Sequence, residues 1–212
     1  MPMKTSEREY RDFTLAAQEL NESEENQKMI VRGFASTFNQ PYTLFKGDNL
    51  EIREQVAPGA FDAANLDDVI LQYNHEGRVF ARTSNNTLEV RQTEEGLEIE
   101  ADLSGTEIGR QLYEEIRGGY TTKMSFGFRI AKDGDSWEHS KTEDGKDLEI
   151  RTINRFEKIY DVSAVSIPAN DATSISVRDL SDGVIEQIKA ERLKALELER
   201  KKLQTKIRLG GI

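Results

Sequence analysis

Residues 120–129, YTTKMSFGFR, constrain the fold most, because their side chains alternate. Tyr120, Thr122, Met124, Phe126 and Phe128 fall on one side. Thr121, Lys123, Ser125, Gly127 and Arg129 fall on the other, the two-residue period of a strand with one face on a core. Ser125 therefore points away from the large apolar set, beside two cations and a glycine. A hydroxyl in that setting suits a nucleophile, and equally a strand serine bonded to a neighbouring backbone group.

Other stretches extend the β pattern. DFTLAAQEL and KMIVRGFASTFN are strand-like runs separated by the polar NESEENQ, and DDVILQYNHEG alternates Val69, Leu71 and Tyr73 against Ile70, Gln72 and Asn74. TLEVRQTEEGLEIEADL predicts a hairpin that turns at TEEG. QPYTLFKGDNLEIREQVAPGAF, with Pro41, Pro58 and several glycines, reads as mostly irregular connection. SGTEIGRQLYEEIRGG predicts a helix, with Thr106 or Ser104 as its cap, Ile108, Leu112 and Ile116 at four-residue spacing and Gly118-Gly119 as its end. DGDSWEHSKTEDGKD reads as the polar tip of a long hairpin between SFGFRIA and LEIRTINRF, and its acidic residues do not follow the ligand order of a calcium loop. FEKIYDVSAVSIPAN is apolar on both faces, which predicts a strand buried on both sides. From about Asp182 the composition shifts to a charged helix in which Leu193, Leu196, Leu203 and Ile207 fall near a heptad. The expected division is a domain over residues 1–180 and a charged helix over 181–212.

Composition narrows the chemistry. A chain of 212 residues with 36% hydrophobic content can build one domain with a sizeable core. A net charge of −10 with no segregated basic stripe argues against nucleic acid as a partner. The absence of cysteine removes thiol catalysis and thiolate metal sites, and two histidines, His75 and His139, cannot make a histidine-rich metal centre. No cofactor is expected. No apolar run approaches the length of a membrane span and the N-terminal residues lack a signal-peptide core, so a cytoplasmic protein without membrane contact is expected.

Asp161 is the second anomaly, a carboxylate within a strand expected to be buried. An unpaired buried charge costs several kcal/mol, so about that much is at stake unless it finds a hydrogen-bonded partner. His75, at the end of the strand in LQYNHEG, is one candidate. His75, Ser125 and Asp161 together contain the base, the nucleophile and the orienting carboxylate of an acyl-transfer site. The residues alone leave other readings open. His75 also reads as a turn histidine, Asp161 as a strand-end partner of Arg155 or Lys158, and Lys123 as the base of a Ser–Lys hydrolase.

The succession IVRGFASTFN, EQVAPGAFD, VILQYNHEG, GLEIEADL, GRQLYEEIRGGYTTKMSFGF and YDVSAVSIPAN resembles the prohead (capsid maturation) proteases of tailed bacteriophages, which are similar in fold to herpesvirus assemblin. The resemblance covers roughly residues 10–178. It implies an α+β fold, a β-barrel-like core surrounded by helices, with the charged C-terminal helix added. It also implies a serine endopeptidase with His75 as base and Ser125 as nucleophile. The third member is Asp161 by the phage pattern or His139 by the herpesvirus one, and Asp161 is preferred because His139 falls in the polar hairpin tip. Gly127 is expected to keep backbone near the developing oxyanion and Arg129 to assist through a water.

The implied role is to cut scaffold segments from capsid proteins, and the enzyme itself, inside the immature shell. The implied partners are the major capsid protein with its scaffold segment, the portal, and other copies of the chain. The implied location is the procapsid in the host cytoplasm, with the enzyme not retained in the mature virion. The alternative is a non-catalytic assembly scaffold or binding protein of the same fold.

Overall fold

The computed structural model describes residues 9–14 and 28–166 of a first unit, Met1–Ile175, and eight helical positions between 188 and 201 of a second, Ser176–Ile212. In the first unit the chain forms strands β1 (Glu9–Thr14), β2 (Ile30–Thr37), β3 (Tyr42–Lys46), β4 (Leu50–Val56), β5 (Ile70–Tyr73), β6 (Glu76–Arg82), β7 (Leu88–Gln92) and β8 (Gly96–Asp102). Helix α1 (Glu107–Arg117) follows, then β9 (Lys123–Ile130), β10 (Asp135–Lys141), β11 (Asp147–Ile153) and β12 (Phe156–Val165). The strands assemble into three sheets, ordered β1-β9-β12-β5-β6, β10-β11-β4-β3 and β2-β8-β7. Two ladders, β12 with β5 and β11 with β4, are parallel, so they join segments far apart in sequence.

Two features of the expected fold are corrected. The core is not a barrel: each sheet is open, because no ladder among the described residues joins β1 to β6 or the end strands of the other two sheets. Nor do several helices surround it; α1 is the one α-helix among the described residues of the first unit. The unit is mostly β. In the second unit the described positions are helical, and Leu193 and Leu198 are exposed. The heptad positions Leu196, Leu203 and Ile207 lie outside the described residues, as do all of NESEENQ and the LAAQEL part of the first strand-like run.

Two local expectations also change. The segment read as irregular connection holds β3 and β4, and Leu50, Ile52 and Val56 of β4 are buried. The polar segment read as a hairpin tip contributes β10, which pairs along its whole length with β11. SFGFRI and LEIRTI do not pair with each other, since β9 lies between β1 and β12.

The alternation read in β9 does place its apolar face on the core. Met124, Phe126 and Phe128 are buried, and Phe126 and Phe128 stack at 4.8 Å between ring centroids. Phe156 of β12 meets Phe128 edge-on at 4.9 Å and stacks on Phe61 at 4.5 Å, geometries that aromatic quadrupoles favour. The opposite face of β9 is covered too, since Ser125 and Gly127 are also buried. Helix α1 is capped by Thr106, whose hydroxyl accepts from the Gly109 amide at 3.0 Å, and it presents Leu112, Tyr113 and Ile116 inward. Gly109 is required there, because an added Cβ would come within 2.4 Å of the Leu103 carbonyl oxygen.

A buried ionic cluster fastens the first sheet to the second. Arg11 on β1 donates to Glu54 on β4 at 2.5 and 3.0 Å and to Glu9 at 2.7 Å. Arg151 on β11 donates to Glu54 and Glu9, both at 3.0 Å, and to Asp135 at 2.7 Å, while the Tyr42 hydroxyl donates to Glu54. Glu54 and Arg151 are wholly inaccessible. Two cations face two buried carboxylates, so removing one partner strands a buried charge at a cost of about 3–5 kcal/mol.

Burial works against the Glu54 carboxylate, but Arg11 and Arg151 outweigh it and hold its pKa below the ordinary value. A carboxyl lowered on folding contributes its stability in full above its unfolded pKa and loses it as pH falls toward the lowered folded value. The urea midpoint should therefore drop as pH is lowered from 7 through the ordinary carboxylate range. In Glu54→Gln that pH slope should be shallower and the midpoint at pH 7 lower. An unchanged slope would remove Glu54 as a source of the acid sensitivity.

Candidate catalytic site

Two neighbouring strands, β9 and β12, and the turn after β5 carry the site. In the β9–β12 ladder Ser125 lies opposite Ser163 and Gly127 opposite Asp161. On the other side of β12, Asp161 pairs with Ile70 and Ala164 with Tyr73 of β5. Ser125 and Asp161 thus come from adjacent strands, offset by one two-residue step.

His75 reaches them from a tight turn. Tyr73 and Glu76 pair across it, and Asn74 and His75 take φ of 51° and 59°. Two consecutive positive φ values mark the two-residue type I′ hairpin, which follows the twist of the flanking strands. Asn and His tolerate that region better than most residues, and Gly77 at φ 76° completes the reversal. The turn is pinned to β12: the Asn74 amide donates to the Ala164 carbonyl at 2.9 Å, and the Ser166 amide donates to Asn74 Oδ1 at 3.0 Å.

Pinned there, the imidazole bridges the other two side chains. His75 Nδ1 lies 2.5 Å from Asp161 Oδ2, and Nε2 lies 2.6 Å from Ser125 Oγ. An ionised carboxylate only accepts, so Nδ1 carries a proton toward Asp161 and Nε2 is left to take one from Ser125. Asp161 and Ser125 are fully buried, whereas the His75 side chain keeps 16% of its surface exposed. The Ser163 hydroxyl also donates to Asp161 Oδ2, at 2.8 Å. Ser125, His75 and Asp161 are in hydrogen-bonding line, an arrangement capable of acyl transfer.

The other residues singled out in the sequence fall elsewhere. His139 stands on β10 in the second sheet, 62% exposed, against Glu149 at 2.8 Å. Arg129 is held by both oxygens of Glu157 at 2.8 and 2.6 Å. Lys123 opens β9, two residues before Ser125. Neither Arg155 nor Lys158 takes Asp161 in the contacts they make here: Arg155 donates to the Lys132 carbonyl, and Lys158 lies over the Tyr160 ring.

Sequence reasoning missed Ser163 and Asn74. Ser163 had a signal, since it stands two residues from Asp161 and so shares its face. Asn74 had one as well, because a polar dipeptide between strand residues is a turn marker. A groove of about 490 Å³ lies between the β5–β6 hairpin and α1, with Tyr73, Phe80 and Leu112 among its apolar walls and Asn74, Glu76 and Glu115 among its polar ones; the chain neighbours of His75 line it, and the imidazole itself does not. Among the described residues no group of three or more histidine or acidic side chains could hold a metal ion, and no helix is long and apolar enough to cross a membrane.

Compared with known proteins, the chain matches the family model of the caudovirus prohead serine protease over residues 16–188, a span that contains His75, Ser125 and Asp161. Searches of curated proteins and of solved structures found no match. With most of its length covered by that model, the chain belongs to the caudovirus prohead serine protease family.

Proposed function

We propose that the chain is the endopeptidase of head maturation, cutting scaffold segments from capsid proteins and also cutting itself inside the immature shell, by a Ser–His–Asp mechanism. Ser125 attacks the scissile carbonyl carbon while His75 Nε2 takes the hydroxyl proton. Asp161 holds the ring through Nδ1 and stabilises its charged form. The proton then passes to the departing amine as the C–N bond breaks, leaving an acyl-Ser125 ester. Water, deprotonated by the same imidazole, attacks that ester and releases the new carboxyl end.

The observation that carries this reading is the continuous line Asp161–His75–Ser125, at 2.5 and 2.6 Å, drawn from the adjoining strands β12 and β9 and the β5–β6 turn. The groove lined by Asn74 and Glu76, the residues on either side of His75 in the chain, offers an extended polypeptide a place to lie near the turn that carries the base. The partners on this reading are the major capsid protein with its scaffold segment, the portal and further copies of the chain. The site of action is the procapsid in the host, from which the enzyme is lost before the virion matures.

Co-expression with the matching capsid protein, followed by mass measurement of both chains, tests the function. Shortened capsid protein and shortened protease are expected, and both should stay full length with Ser125→Ala. Full-length capsid protein beside a folded parent enzyme would favour the non-catalytic assembly role.

Residues from about Asp182 onward act, on the same proposal, as a tether to assembling capsid or scaffold chains, many weak lattice contacts raising the effective affinity before closure. An inactive Ser125→Ala chain ending at Arg178 should be incorporated into immature shells in several-fold fewer copies than its full-length counterpart. Equal copy numbers per shell would leave the segment as a passive extension.

A further inference from the structure

The Ser125 hydroxyl has a second acceptor that the triad does not use. Its oxygen lies 2.9 Å from the main-chain carbonyl of Arg11, as well as 2.6 Å from His75 Nε2. One hydroxyl proton cannot serve both at once, but either orientation leaves Oγ in the same place. The carbonyl belongs to β1, an edge strand that runs antiparallel to β9 with Asp12 opposite Ser125. These residues precede the stretch 16–188 matched by the family model.

β1 is held there by its charges. The Arg11 side chain forks onto Glu54 and reaches Glu9, and Arg151 closes the cluster from the second sheet. Burial opposes the Arg11 charge, yet Glu54 and Glu9 outweigh it and hold its pKa well above the ordinary value. Lifting β1 to admit substrate would separate these buried ions with nothing to replace them. His75, by contrast, keeps 16% of its side-chain surface exposed, while Ser125 and Asp161 are fully buried.

We propose that Arg11 is a positioning residue for the nucleophile: its carbonyl steadies the Ser125 hydroxyl, and its buried ion cluster makes β1 a fixed wall, so that substrate reaches Ser125 only from the His75 side. The inference rests on Ser125 being the nucleophile.

Reaction with a fluorophosphonate provides the readout, because it separates the limiting rate of acylation from the half-saturating concentration. Arg11→Lys keeps the charge but loses the two-nitrogen fork onto Glu54. Its limiting rate per folded molecule should fall at least tenfold, with the half-saturating concentration within twofold of the parent. An unchanged limiting rate overturns the positioning role. A purely structural defect would shrink the labelled fraction and leave the rate of that fraction alone.

The second arm exploits a chain without cysteine. Thr14 and Lys123 are register partners at one end of the β1–β9 ladder, so Thr14→Cys with Lys123→Cys can lock the strand by a reversible disulfide. The oxidised enzyme should label as fast as the reduced one. Loss of labelling on oxidation, regained with reductant, means β1 must lift and overturns the fixed wall. A parent enzyme unlabelled at Ser125 is a different failure: it removes the proposed mechanism, and this inference with it.

Discussion

Ser125→Ala and His75→Ala are each expected to abolish cleavage of the capsid protein while leaving the protein folded. On the proposed mechanism each deletes one member of a unit that works as a whole, so the loss in kcat should be on the order of 10⁴–10⁶. The double variant should be no slower than either single one, because the second deletion removes a group that has already lost its partner. Far-ultraviolet circular dichroism and thermal melts establish folding, and cleavage is followed by mass. A double variant much slower than both singles would mean that Ser125 and His75 do not share one mechanism.

Asp161→Asn is the second large effect. The amide is nearly isosteric, so the strand should keep its place between β9 and β5. An amide oxygen can still accept from His75 Nδ1, but it supplies no charge to stabilise the imidazolium, and an amide NH₂ toward Nδ1 favours the wrong tautomer. The expected fall in kcat is on the order of 10⁴, with KM little changed. Ser163, which donates to the same carboxylate oxygen, would face an amide oxygen or nitrogen instead. His139→Ala is the counterpart and should leave kcat within about twofold, because an exposed histidine paired with Glu149 in another sheet has no route to Ser125. A silent Asp161→Asn beside an inactive His139→Ala would reverse the assignment.

How much of this was legible depends on what each residue meets. β9 and β12 were readable because burial on their faces leaves a direct imprint, alternation in one and a nearly continuous apolar run in the other. Helix α1 was readable from Thr106 at its start and Gly118 at its end. The β7–β8 hairpin was readable from its turn. β4 was not, because LEIREQV carries Glu51, Arg53 and Glu54 among its apolar residues. Charges of that kind normally signal an exposed segment, and Glu54 is buried only because Arg11 and Arg151 arrive from distant strands. β10 was hidden in the same way by DSWEHSK, whose side chains are mostly exposed and whose Asp135, His139 and Lys141 find their partners on β11, which no local pattern shows.

For the site, sequence supplied His75, Ser125 and Asp161 as types, and the resemblance to prohead proteases singled them out. Their alignment depends on pairings across β9, β12 and β5 that no local pattern records. The Arg11 carbonyl left no trace at all, since a main-chain acceptor has no side-chain signature. The expected barrel failed for a related reason: sheet closure is a property of edges, and alternation along one strand says nothing about which edge its neighbours leave open.

The most direct measurement is fluorophosphonate labelling of the intact protein, followed by mapping of the modified residue by mass spectrometry. A single adduct at Ser125 is expected in the parent. It should form orders of magnitude more slowly in His75→Ala and Asp161→Asn and not at all in Ser125→Ala. An adduct at another serine, or equal labelling of Ser125 with and without His75, would contradict a nucleophile activated by the His75–Asp161 pair.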